Sequence, residues 1–170
     1  MKARKRAGAG KARPARRKSS SGAGSRGSTK AGARVKASAK RVAGVSAAVQ
    51  AAQEQARALA LAIARVGLDH RALNVEIIDV RGKVDYCDYV IVMAGRSDRQ
   101  VGALVRHIEQ TMEQERGARC VSVEGMPRAT WVLMDFSDVI VHIFHQDTRG
   151  YYDLESLWID AARVAVDAGP

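Results

Sequence analysis

The segment Trp131–Phe144, WVLMDFSDVIVHIF, admits very few structures. Apolar residues recur at every second position on both sides of Ser137 and Asp138, which is the period of a half-buried strand and not of a helix. A two-residue turn at Ser137-Asp138 closes an antiparallel hairpin and fixes its register, with Phe136 opposite Val139. Trp131 then faces Phe144, Leu133 faces His142 and Asp135 faces Ile140, all on one surface. Val132, Met134, Phe136, Val139, Val141 and Ile143, all apolar, line the other. A surface that is apolar throughout belongs to a core, so another layer must cover it. The mixed surface is open to two readings. Either a helix lies over it and makes a second core layer, or it is an exposed aromatic patch with polar punctuation, as recognition surfaces are.

The neighbouring segments supply the remaining layers. Ser46–Val66 is Ala-rich, free of Pro and Gly, and carries Leu59, Ile63 and Val66 at helical spacing below Ala52 and Ala56, with Gly67 as a stop. LNVEIIDV (Leu73–Val80) and DYVIVMA (Asp88–Ala94) read as strands, the second apolar on both faces as a central strand is. Ser97 opens a helix with Gln100 three residues on, a capping box. Its apolar stripe is Val101, Leu104, Val105, Ile108 and Met112, and Gly117 ends it. Cys120–Gly125 is a short strand. The tail YYDLESLWIDAARVAV places Leu154, Leu157, Trp158, Ala161 and Ala165 on one face of a closing helix. Helix, strand, strand, helix, three strands and helix make an α/β sandwich around one mixed sheet.

Charge divides the chain in two. Residues 1–45 hold 15 of the 28 Lys and Arg and no acid, whereas residues 46–170 hold the other 13 bases and all 18 acids. A basic arm, densest at KARPARRK (Lys11–Lys18), therefore precedes a mildly acidic body over residues 46–170. With no bulky apolar residue before Val35, the arm is expected to stay disordered. Such arms bind polyanions by counterion release, and this one lacks the aromatic residues of a base-stacking reader. Loose ribosomal RNA contacts, an idle extension and an organellar transit peptide are the three readings of it. No apolar run approaches the ~20 residues of a membrane span. Cys87 and Cys120, in strand-like contexts without metal-ligand spacing, read as reduced thiols of a cytoplasmic protein.

The sequence offers little for catalysis. Gly95-Arg96-Ser97, opening a helix after a central strand, is the one feature that suits a phosphate. A Mg²⁺-dependent nucleotidyltransferase needs clustered carboxylates downstream, and Asp135 and Asp138 stand three apart, on opposite strand faces or in the turn. His142 and His145 have the same spacing and make a poor metal pair. Asp79 beside Arg81 reads as a structural ion pair. No catalytic constellation, metal site or cofactor is expected.

Four blocks, in order, carry a resemblance to a known family: NVEIIDVRGK, DYVIVMAGRSDRQV, TWVLMDFSDVIVHIFH and RGYYDLESLW. Together they resemble the Iojap-like ribosomal silencing factors. The resemblance implies an α-β-α, nucleotidyltransferase-like fold that has lost catalysis, and a protein that is not an enzyme. It implies binding to the large ribosomal subunit through its fourteenth protein (uL14), a block on association with the small subunit, and repression of translation under nutrient limitation. Family members resemble homodimers when free. The family's ribosome-facing tryptophan falls on Trp131, with Val132, Leu133 and Asp135 beside it and His142 across the hairpin. This selects the docking reading of the mixed surface, and an acidic body suits a basic ribosomal protein. Thr130 stands where the family commonly has an acid, and Ser137-Asp138 where its turn is commonly Gly-Asp. The basic arm lies outside the resemblance.

Overall fold

A computed structural model describes residues 29–166, with side chains from Val45 onward. The chain divides into two units, Met1–Val42 and Ala43–Pro170, and the second carries the sheet. Helix α1 spans Thr29–Asp69 and begins well before Ser46, so residues 29–45 are helical where the sequence suggested a disordered arm. Their Ala, Lys and Arg content favours helix even where no apolar face requires one. The rest of the expected arm lies outside the described residues.

The body follows as β1 (Leu73–Asp79), β2 (Tyr89–Gly95), α2 (Asp98–Arg116), β3 (Ser122–Glu124), β4 (Trp131–Asp135), β5 (Val139–His145), α3 (Gln146–Tyr152), a 3₁₀ turn (Leu154–Trp158) and β6 (Ala162–Val164). The sheet order is β3-β4-β5-β2-β1-β6. Only β2 and β5 run parallel, and the other neighbours are antiparallel. The sheet is therefore mixed, and every residue of its central strand β2 is buried.

Two apolar layers flank the sheet. The larger joins α1 (Ala56, Ala60, Ile63) and α2 (Leu104, Ile108, Met112) to Ile91, Val132, Met134, Val141 and Ile143. Ser97 Oγ accepts from the Gln100 N–H at 3.2 Å, and Gly117 closes α2 at φ 62°, so both expected caps are present. Gly67 does not stop α1, which runs on to Asp69. A Cβ there would lie 2.9 Å from the Met93 side chain, so its role is close approach to β2.

The C-terminal segment differs most from its expectation. In place of one closing helix there is a seven-residue helix, a 3₁₀ turn and a sixth strand. Asp153 takes a left-handed φ of 41° and interrupts the helix. Ala162–Val164 then pair with Ile77–Asp79. An uncovered β1 edge would otherwise present unpaired backbone donors and acceptors. Leu154, Trp158 and Ala161 of this segment cover Ile78, Val80, Val90, Val92 and Phe144 in the second, smaller layer.

Candidate docking face

The hairpin has the register its alternation predicts. Trp131 pairs with Phe144, Leu133 with His142 and Asp135 with Ile140, and the Phe136 N–H donates to the Val139 carbonyl across the turn. The inner six side chains are all buried in the larger layer. This corrects one expectation: Val132 is fully buried there, so its side chain cannot meet a partner. The period-2 pleat sends it to the opposite face from Trp131 and Leu133.

On the outer face both readings hold in part. Phe144 is fully buried and His142 nearly so, at 7% exposure, whereas Trp131, Leu133, Asp135 and Ile140 are half-buried. Part of the cover over Phe144 is aromatic. The Trp131 ring stacks on it at 5.1 Å between centroids, and Tyr152 of α3 packs on Trp131 at 4.7 Å. Tyr152 is 48% exposed, and Tyr151, 84% exposed, meets it edge-on at 5.3 Å. An aromatic ladder thus climbs from a buried Phe to a solvent-facing Tyr. Trp131 and Leu133 also line a shallow cleft with Glu124 and Gly125.

Polar contacts fix this ladder. The Trp131 indole N–H donates to His142 Nδ1 at 3.1 Å. Nδ1 must therefore be unprotonated, and the neutral ring carries its proton on Nε2. Burial opposes the imidazolium and pushes the His142 pKa down to about 4, against a smaller upward pull from Glu155. Asp135 Oδ1 accepts the Ser137 N–H at 2.7 Å, which holds the turn residue at φ 70°. Beneath α3, Arg149 donates to Glu155 at 2.6 Å and to the carbonyls of Leu73 and Asn74, and pairs with Glu76 at 3.3 Å. It ties the helix that bears Tyr152 to the start of β1.

The sequence pattern does not reveal Tyr152 and Arg149 as parts of this face. Both stand in RGYY, whose helical spacing with the residues after it suggests a single stripe that the fold does not form. Trp131, Leu133, Asp135 and His142 are brought together as expected.

The sites weighed for chemistry are occupied otherwise. Gln100 Oε1 accepts the Arg96 N–H at 2.8 Å, and Ser97 Oγ takes the Gln100 N–H, so two of the backbone donors around the start of α2 are bonded by its own side chains. Asp88, Asp135 and Asp138 all lie near Cys87, whose thiol is pushed up to about 12 by burial and then by these carboxylates. A thiol so held stays protonated at neutral pH and is no nucleophile. Among the described residues, no three His, Cys, Asp or Glu side chains converge as metal ligands. Asp79 and Arg81 form the ion pair their spacing suggests.

Comparison with known proteins bears on the family and the fold. The family model described as "Ribosomal silencing factor during starvation" matches residues 52–169. A Bacillus subtilis protein named "Ribosomal silencing factor RsfS" is 42% identical over 101 residues, 59% of this chain and 85% of that protein. A mouse protein named "Mitochondrial assembly of ribosomal large subunit protein 1" is 29% identical over 89 residues, covering 51% of this chain and 39% of its own length. A crystal structure of a Chromobacterium violaceum protein superposes with a TM-score of 0.56 at 29% identity, covering 68% of this chain and 92% of that one.

Proposed function

This chain belongs to the ribosomal silencing factor family, and on that premise we propose that its outer hairpin face docks on the large ribosomal subunit. The surface met there is the fourteenth protein of that subunit. Occupying it hinders joining of the small subunit and lowers translation when nutrients are scarce. The protein acts in the cytoplasm, by docking and not by catalysis, and needs neither nucleotide nor metal.

The observation that carries this reading is the state of Trp131. Its ring is part-exposed yet fixed by Phe144, Tyr152 and His142. A large side chain already ordered before binding loses little entropy on docking, which is what an interface anchor requires. Leu133 and the Tyr151–Tyr152 pair extend the apolar centre, while Asp135 gives the rim a charge for a basic partner. Val132 contributes only from within the core. The basic arm adds contacts to ribosomal RNA phosphates that ignore base sequence.

The test is sedimentation of the full chain with purified large subunits, followed by small-subunit addition in a gradient. Co-sedimentation and a reduced share of joined ribosomes are expected. An unchanged share at saturating protein would refute the silencing reading.

A further inference from the structure

The body is acidic in sum, yet one end of the sheet is not. Trp131 pairs with Phe144, Phe144 with Ala94, and Ala94 with Leu73, so the four residues form one row across β4, β5, β2 and β1. Just beyond that row lie Arg71, two residues before Leu73, and Arg96, two residues after Ala94. Arg99 in the first turn of the adjoining α2 and Arg106 near its middle are seven residues apart and so on one face of it, about 10 Å along the axis. All four arginines are exposed. None of the four makes a salt bridge or side-chain hydrogen bond among the described residues, although Asp69 and Asp98 are near in the chain.

This end is also built. Gln100 holds three segments together: its Nε2 donates to the carbonyls of His70 and Arg71 at 3.3 and 3.0 Å, and its Oε1 accepts the Arg96 N–H. His70 stacks flat on His107 of α2, with ring centroids 3.8 Å apart and planes 6° apart. The loops bearing Arg71 and Arg96 are thereby pinned to α2. Exposed arginines without acidic partners, held on a fixed scaffold, suit a partner that supplies a row of anions.

We propose that this end binds the phosphate backbone of structured ribosomal RNA next to the protein surface met by Trp131, with Arg71, Arg96, Arg99 and Arg106 reaching the phosphates. The proposal rests on the docking reading above and adds a second, nucleic-acid footing to it. The distances allow both at once. Strands lie about 4.8 Å apart, so three steps from β4 to β1 span roughly 14 Å along the sheet end, with α2 in the layer opposite Trp131. A docking interface of ~800 Å² per partner is wider than that. Double-helical nucleic acid carries a charge for about every 1.7 Å of axis, so several phosphates fall within reach of α2. An A-form helix is read mainly by its backbone, for which arginines on a rigid face suffice.

The experiment uses the full chain and purified large subunits. Affinity is measured from low to moderate salt for the wild type, for Arg71→Gln/Arg96→Gln/Arg99→Gln/Arg106→Gln, for a control Arg57→Gln/Arg116→Gln, and for Trp131→Ala. Hydroxyl-radical footprinting of the ribosomal RNA accompanies each. The fourfold variant should flatten the salt slope by roughly 0.7–0.9 for each phosphate it no longer neutralises. It should also lose an RNA protection that the control keeps. Wild-type slope and protections in the fourfold variant would overturn the proposal. A flattened slope with every protection retained would mean an acidic protein segment is the partner, which overturns it equally. Wild-type affinity in Trp131→Ala would instead sink the docking reading, and that outcome is independent of the arginines.

Discussion

The indole of Trp131 is held by Phe144, Tyr152 and the Nδ1 of His142, and part of its ring remains exposed. Cutting it to Ala removes the docking anchor and also uncovers Phe144 and strands a buried acceptor. Affinity for large subunits should fall at least about thirtyfold, or ~2 kcal/mol. Folding stability should fall by ~1–3 kcal/mol, less than for a closed-core tryptophan because the ring is only half-buried. Trp131→Phe keeps the stack and loses the N–H, at about 1 kcal/mol of stability. Affinity loss that merely tracks the unfolded fraction in both variants would make Trp131 structural. The melts should be run at two protein concentrations, since pairing of free copies through this face would raise stability with concentration. His142 gives a second prediction. Its folded pKa, about 4, lies below the ~6.5 of an unfolded histidine. The unfolded chain therefore binds the extra proton first as pH falls. The contribution of His142 is complete above about pH 6.5 and is lost on the way down to about 4, at most on the order of 3 kcal/mol. His142→Asn keeps an acceptor for the indole but does not titrate. The difference in unfolding free energy between wild type and His142→Asn should narrow steadily between pH 7 and 4.5; a constant difference would contradict the buried neutral imidazole.

At the scale of elements, glycines show how strand β4 and helix α3 are seated. Gly125 has φ 94°, and a Cβ on it would lie 2.0 Å from the Trp131 carbonyl oxygen. That oxygen is backbone and cannot yield, so Gly125→Ala should displace the start of β4. We expect a loss above about 3 kcal/mol in denaturant unfolding, with altered tryptophan fluorescence. Gly150 lies inside α3, and a Cβ there meets nothing within 4 Å. Gly150→Ala should stabilise by about 0.5–1 kcal/mol through helix propensity alone. Equal effects at the two sites would show that neither argument from space is sound. The hairpin was legible because turn and alternation are local and agree with each other. The C-terminal segment was not, because Leu157, 68% exposed, shares a helical spacing with Leu154 and Ala161, which do pack. What sends Ala162–Val164 into the sheet is the free edge of β1, which no local pattern near Ala162 reveals.

For the whole molecule, charge is distributed in a way that separates contributions to binding. Removing residues 2–44 takes away the 15 bases of the arm. The salt slope of large-subunit binding should flatten, while the penalty of Trp131→Ala should remain the same. An identical slope with and without the arm would make it idle in binding. Sequence alone determined the α/β class, α2 with its caps, the hairpin register, and the grouping of Trp131, Leu133, Asp135 and His142 on one surface. Each follows from a period of 2 or 3.6 and a nearby turn or cap, and so is written in consecutive residues. Tertiary structure alone decided that Phe144 is buried beneath Trp131 and Tyr152, that His142 is buried beside Trp131, that Arg149 anchors α3, that β6 exists, and that Arg71 and Arg96 lie at one end of the sheet. Those facts depend on which segments the parallel pairing of β2 with β5 and the strand order bring side by side. Residues as far apart as Leu73 and Trp131 share a row only once the sheet has closed around them.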